Sequence, residues 1–490
     1  MGLKKLEDML DRVAVIGAGP GGLVASKFLK GQGFSPTLFE AHSSVGGQWD
    51  NTNPMSGVWP LMRTNTARMV TRFSDLDHGD GIAIFPRNTE IADYLRSYAA
   101  KFGLDENTQT GTRLQRLDRN PNGWTLRLEA NGQVREEIYP RVVIATGAYN
   151  RPAIPAVPGL DTFSGDAKAI HAFHYKNPEA YRGKRVLIAG GNISSLEIAS
   201  DLAMLGAASV STAMRRQRYV MPKLIAGTPV ESYGFTRAGA IYQETASSED
   251  WAAATKAFVL QYGGNPAWYG APEPDADIRV AGTTGSQNFL NLVAENRVSC
   301  FPWITGSEGR NVAFDDGRTA EFDGIVFGTG YDLNLPFLSD ELRETLEVDR
   351  KGITLAERTF HPQTPGLAFM GLFGQIGPYL PVLELQARFL AYSWGGAIPA
   401  MDQTALESAC ETSRNSRGKD AYQHLQCLNF GRLAGADPEG RVDPELAQIL
   451  ADNAVTAISF RLVGPEALPD AEAQIRNDAR RFGRKHIGGQ

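Results

Sequence analysis

Cysteine is scarce in this chain. Only Cys300, Cys410 and Cys427 occur among 490 residues, and no two stand close enough for a Cys-x-x-Cys pair or a zinc ligand set. This excludes a disulfide framework and cysteine-motif ligation of haem or iron–sulfur clusters, and it suits a reducing cytoplasm. Basic charge is not in excess either. With 49 Lys and Arg against 55 Asp and Glu the net charge is −6, so the broad positive face that nucleic acid requires is lacking. Uninterrupted apolar runs are also missing. Residues 362–383 carry no charge, but Pro365, Pro378, Pro381, Gly366, Gly371, Gly374 and Gly377 punctuate them. A lipid-exposed helix there would lose too many backbone hydrogen bonds. The stretch is expected to form a buried strand, a glycine-rich turn and the start of a helix over 378–388. The opening MGLKKLEDML has neither the apolar core nor the cleavage site of a secretory leader, and Leu6 stands where a myristoylation signal has Ser or Thr. The expectation is a cytoplasmic protein with no transmembrane segment.

Glycine, by contrast, is abundant: 52 residues, against a usual share of roughly 7%. Residues 13–16 (VAVI) read as a buried parallel strand, followed by Gly17-x-Gly19-x-x-Gly22, a helix from about Leu23 to Lys30, and a second strand ending in Glu40. In this context Gly17 makes the tight turn and Gly19 admits the backbone to a pyrophosphate. Gly22 lets helix and strand approach, while Pro20 suits the first helical turn. The helix N-terminus faces the phosphates, and Glu40 accepts from a ribose.

The same grammar recurs from residue 185: VLIA, then Gly190-Gly-Asn192-Ile-Ser194-Ser195, then a helix to Gly206 and the strand SVSTA. Here Asn192 and Ser195 replace the second and third glycines. The strand ends not in an acid but in Arg215, Arg216 and Arg218, which suit a ribose 2′-phosphate. An acid at one site and arginines at the other predict FAD at the first and NADPH at the second. RVVIATG (141–147) and GIVFGTG (324–330) read as buried strands ending in Thr-Gly. Residues 228–288, rich in aromatics such as Tyr233, Trp251 and Trp268, read as a partly helical insertion that covers something. From Gln403 onward the pattern is helical and ends in a basic stretch from Arg476 to Lys485, expected to be a solvated face. No metal site is expected. Two dinucleotide sites in one chain imply hydride transfer from nicotinamide to flavin. Without a redox cysteine pair, oxygen is the remaining common acceptor.

These motifs resemble the class B flavin-dependent monooxygenases. Gly46-Gly47-Gln48-Trp49 resembles the family's turn after the acid, and LMRTNTARM (61–69) resembles its segment with an asparagine beside the flavin, here Asn65. VVIATGAYNRPAIPAVPGL (142–160) with Thr146, and FGTGY (327–331) with Thr329 and Gly330, resemble the two crossovers between domains. AFMGLFGQIGPYLPVLELQAR (368–388), with Gln375, resembles the segment closing the flavin site. Phe163, Gly165, His171 and Tyr175 match the residue types of the identifying signature, with five residues rather than three between Gly165 and His171. Tyr175 favours the flavin-containing branch, and His171 is read as a satisfied hinge residue rather than a proton donor.

The resemblance implies an α/β fold with two Rossmann-like domains, the NADPH domain (161–330) inserted into a discontinuous FAD domain (1–160 and 331–490). It implies an NADPH- and O2-dependent monooxygenase that oxygenates an amine nitrogen or a sulfide sulfur through a hydroperoxyflavin. The cofactor-binding residues would be Gly17, Gly19, Pro20, Gly22, Glu40, Gly47, Gln48, Trp49, Thr146, Gly190, Asn192, Ser194, Ser195, Arg215, Arg216, Thr329, Gly330 and Gln375. Asn65 would be the catalytic side chain, because an amide both donates and accepts. A homodimer is a family expectation. Two alternatives stay open: Baeyer–Villiger oxygenation of a ketone, and an NADPH oxidase or redox-sensing flavoprotein that oxygenates no substrate.

Overall fold

The computed structural model describes residues 10–484. The expectations for a leader and for myristoylation fall on residues 1–10, of which only Leu10 is described; Lys485 also lies outside the described residues. Two five-stranded parallel sheets organise the chain. The first runs, in spatial order, Leu367–Phe369, Arg141–Ile144, Arg12–Ile16, Ser35–Phe39 and Thr108–Gln109. The second runs Val298–Phe301, Ser209–Ala213, Arg185–Ala189, Gly324–Phe327 and Lys168–His171. In both, the expected apolar runs are central strands, and period-two alternation divides each strand between two cores. Val13 and Val15 pack with helices Pro20–Gly31, Asn88–Lys101 and Leu380–Gly395, whereas Ala14 and Ile16 pack on the opposite face with Leu117, Leu126 and Leu128. Val186 and Ile188 face one core of the second sheet, Leu187 and Ala189 the other.

The internal repeat extends beyond the βαβ unit read from sequence. Each sheet receives a three-stranded antiparallel ribbon just before the strand that ends in Thr-Gly. The first ribbon is Thr112–Asn120, Gly123–Ala130 and Gln133–Tyr139, and the second is Ile304–Glu308, Asn311–Phe314 and Thr319–Glu321. The charge-free stretch 362–383 forms the strand Leu367–Phe369, a turn, and the start of Leu380–Gly395. Among the described residues no helix is long and apolar enough to cross a membrane. The C-terminal part is helical as expected, with Gln403–Asn415, Gln423–Leu433, Pro444–Asp452 and Ala471–Phe482. The last of these is not purely a solvated face: Ile475 and Phe482 are buried, while Arg476 pairs with Glu472 and Glu445, each at 2.8 Å.

The aromatic insertion divides in two. Helix Ser248–Tyr262 packs on Tyr219 and Met221 beside the second sheet. Residues 231–245 instead dock on the C-terminal helices. The Val455 N–H donates to Phe235 O at 2.9 Å, and Arg237 pairs with Asp437 at 2.6 Å and Arg432 with Glu244 at 2.8 Å.

Candidate functional site: two glycine turns and the crossovers between them

At the first turn the glycines are required by close approach. A Cβ on Gly22 would lie 1.9 Å from Gly17 O, and one on Gly17, whose φ is +104°, would lie 2.6 Å from Ala145 O. Gly19 faces Gly47, where a Cβ would come within 2.9 Å of the Gly19 Cα. The Gly46 N–H donates to Ala18 O at 2.9 Å, which closes the Gly-Gly-Gln-Trp segment onto the turn. Trp49 packs against the first core, and Gln48 is exposed. The Glu40 carboxylate, 7% exposed, accepts the N–H groups of Ala18 and His42 at 2.7 and 2.8 Å. It therefore pins the end of the second strand to the glycine turn. Helix Pro20–Gly31 starts with no side-chain cap and no acid in its first turn. Five helices elsewhere are capped by Thr236, Ser247, Ser339, Asp402 and Asp443, while Leu380–Gly395 and Gln423–Leu433 are uncapped too. An uncapped, glycine-lined helix N-terminus leaves N–H donors and the positive end of the dipole for an anion.

The second turn is built differently. Asn192 and Ser194 are exposed at the uncapped start of helix Ile193–Leu205. Ser195, expected to touch cofactor, is wholly buried, and its hydroxyl donates to Gly328 O at 3.2 Å. A Cβ on Gly328 would sit 2.1 Å from that hydroxyl, and one on Gly190 2.5 Å from it. Ser195 thus packs helix against strand. Gly191 lies against Met214 and Arg216 at the end of strand Ser209–Ala213. Arg215 and Arg216 are exposed there and form no ion pair among the described residues; Arg215 lies 4.7 Å over the Trp303 ring.

The two crossovers run side by side, Arg151–Pro152 pairing antiparallel with Tyr331–Asp332. Thr329 donates to Ala153 O at 2.6 Å, and Gly330 O accepts from Ala153 N–H at 3.0 Å. These two residues tie the crossovers together. His171 joins the same contact. Its Nδ1 accepts from Phe173 N–H at 3.0 Å, so Nε2 carries the proton and donates to Gly330 O at 3.0 Å. Burial lowers its pKa and keeps it neutral. Both ring nitrogens are thus satisfied within the fold.

Several polar atoms beside the first turn lack partners. The Thr146 hydroxyl, Asn150 Oδ1 and Gln375 Oε1 are all buried without a hydrogen bond, although Gln375 Nε2 donates to Pro378 O at 2.7 Å. Orphaned polar atoms of this kind call for a partner outside the chain. Asn150 was not among the residues singled out from sequence; its place four residues after Thr146 in the same crossover was the available signal. The Asn65 side chain is half-buried; no hydrogen bond among the described residues engages its amide, and its polar atoms stay open to solvent. Its segment spans the two halves. Upstream, Trp59 packs in the second sheet's core and donates to Asp201 at 2.9 Å, raising no charge of its own while burial pushes the Asp201 carboxyl up to about 6. Downstream, Phe73 packs in the first core. No group of His, Cys, Asp and Glu able to hold a metal ion occurs among the described residues.

A family model described as flavin-binding monooxygenase-like matches residues 10–485. Dimethylaniline monooxygenase (N-oxide-forming) 2 of Rattus norvegicus is 27% identical, over 97% of this chain and 92% of that protein. Flavin-containing monooxygenase 5 of Oryctolagus cuniculus is 26% identical over 92% and 89% respectively. Among solved structures, S-allyl-L-cysteine S-oxygenase from Allium sativum superposes with a TM-score of 0.67 at 23% identity, covering 96% of this chain and 99% of that one. Open cyclohexanone monooxygenase gives 0.66 at 19% identity, covering 88% and 98%. Since the family match spans both glycine turns, both crossovers and the helical C-terminal part, this chain belongs to the flavin-binding monooxygenase-like family.

Proposed function

We propose that this FAD- and NADPH-dependent monooxygenase oxygenates a soft nucleophile, an amine nitrogen or a sulfide sulfur, with Asn65 as its catalytic side chain. The observation that carries the reading is the unbonded Asn65 amide on a segment anchored in both halves of the molecule. The relatives named for N-oxide formation support the substrate class. Bound FAD and NADPH supply the hydride transfer and the activation of oxygen. The chain's own task is to hold the two and to exclude water. FAD would lie on residues 1–160 and 331–490, its pyrophosphate at the start of helix Pro20–Gly31 over Gly17, Gly19 and Gly47, and its ribose at Glu40. Thr146 and Gln375 would turn their orphaned oxygens to the ring system. NADPH would lie on residues 161–330, at Gly190, Asn192 and Ser194, with Arg215 and Arg216 on the 2′-phosphate. Asn65 would donate and accept at the reacting centre without changing charge. A cytoplasmic location belongs to the same proposal and rests on the free cysteines, of which Cys410 and Cys427 are buried; a homodimer is proposed from the family likeness.

The test is NADPH consumption with product identification across amines, sulfides and ketones. N-oxide or sulfoxide formed in step with NADPH is expected; a lactone or ester, or peroxide alone, would overturn the assignment. Asn65→Ala should keep the yellow flavin and convert NADPH oxidation to peroxide release. Fully coupled product formation by that variant would remove Asn65 from the mechanism.

A further inference from the structure

Glu231 begins a one-turn helix, Glu231–Gly234, inside the docked half of the insertion. Its side chain is 1% exposed. Oε1 accepts the Ala67 N–H at 3.0 Å across 164 residues of sequence, and Oε2 is buried without a partner. Ala67 stands two residues after Asn65. Its carbonyl is held by the Thr71 hydroxyl at 2.9 Å, and the neighbouring Arg68 N–H by Ile84 O at 2.7 Å. The helix that presents Glu231 is itself fixed, since Ser232 donates to Phe482 O at 2.8 Å and Arg484 to Ser232 O at 3.0 Å. The carboxylate is thus the link between a rigid scaffold and the backbone of the Asn65 segment.

We propose that Glu231 is a positioning residue: through the Ala67 N–H it holds the Asn65 segment in register, so that the docked insertion sets the placement of the Asn65 amide. The functional half of this inference rests on the reading of Asn65 given above. Truncation of Glu231 would leave a buried N–H with no acceptor, a cost borne by the segment itself. Burial pushes the Glu231 carboxyl up to about 7, against the Ala67 N–H, its own N–H and Lys223. The surrounding charges are engaged elsewhere: Lys223 with Glu197 at 3.2 Å, Arg68 with Asp77 at 3.3 Å, Arg72 with Asp478 at 2.7 Å, and Arg484 with Ser232 O. Because the folded value lies above the unfolded 4.5, the fold binds the extra proton. The stability contributed by this site is therefore lost as pH rises from the unfolded value through about 7.

Hydrogen exchange of the FAD-loaded enzyme, read on peptides covering residues 62–70, tests the link directly. In Glu231→Ala the Ala67 amide should exchange about 10-fold faster, with a fall in product formed per NADPH. Glu231→Gln, whose amide carbonyl can still accept, should exchange like the parent. Its thermal midpoint should gain on the parent's between about pH 5 and about pH 8. Unchanged exchange in Glu231→Ala, or parallel midpoint–pH curves for parent and Glu231→Gln, would overturn the proposal. Coupled turnover in Asn65→Ala would instead overturn the reading of Asn65, and the exchange data would still decide whether Glu231 holds the segment.

Discussion

The two glycine turns solve one packing problem in opposite ways. In the first, the helix contributes Gly22 and the strand end has Ala145 ahead of Thr146. In the second, the helix contributes Ser195 and the strand end has Gly328 ahead of Thr329. At the first turn a Cβ on Gly22 would meet the Gly17 carbonyl rather than Ala145, whereas at the second the Ser195 hydroxyl occupies the place a Cβ on Gly328 would take, 2.1 Å away. The departure from a three-glycine fingerprint at the second turn is therefore compensated across the interface. What both turns share is an uncapped helix N-terminus with no acid in its first turn. The shared feature leaves backbone donors free; the exchanged one serves packing. A fingerprint position can be lost without loss of the site, provided that the volume reappears on the facing strand.

The sharpest break of this comparison is Gly22→Ala, whose Cβ would lie 1.9 Å from a backbone oxygen. It should destabilise the fold by about 3 kcal/mol and yield protein without the visible flavin band. Ser195→Gly should cost only about 1 kcal/mol and keep the flavin, the loss being helix propensity and one hydrogen bond. Next in size, Gly328→Ala should lower stability by about 2 kcal/mol, and Ser195→Gly in the same chain should restore most of it. Additive denaturation midpoints in that double-mutant cycle would refute the exchange of volume. Smallest for the fold, yet selective for ligand, are Arg215→Ala and Arg216→Ala. Each should raise the KM for NADPH about 10-fold or more and leave that for NADH nearly unchanged. Equal effects on both would deny the second turn its 2′-phosphate contact.

Much of the frame was legible because it obeys short-range rules. The β-branched apolar runs became central parallel strands, the glycine clusters became turns at their ends, and the Pro and Gly residues of 362–383 broke that stretch where expected. The ribbons preceding Arg141 and Gly324 were not legible. In Thr112–Asn120 the register slips between Leu114 and Arg116, so the alternation that marks a strand is broken in the middle, and the exposed face is charged. The contacts of Thr329 and Gly330 between the crossovers and of Ser195 in the packing were equally out of reach. Each is settled by a partner more than a hundred residues away: Ala153 for the first two, Gly328 for Ser195.

The sequence by itself determined the two glycine turns, the opposite sign of the side chains at the strand ends beside them, and the family whose motifs they match. Those depend on the steric demands of a tight turn and on the sign of a side chain at a strand end, both local properties. Only the tertiary structure decided that no side chain or backbone group engages the Asn65 amide, that Gln375 and Thr146 each keep an unbonded oxygen, and that Glu231 reaches the Ala67 N–H. Hydrogen-bond satisfaction is a property of the packed neighbourhood, and that neighbourhood forms only when distant segments meet.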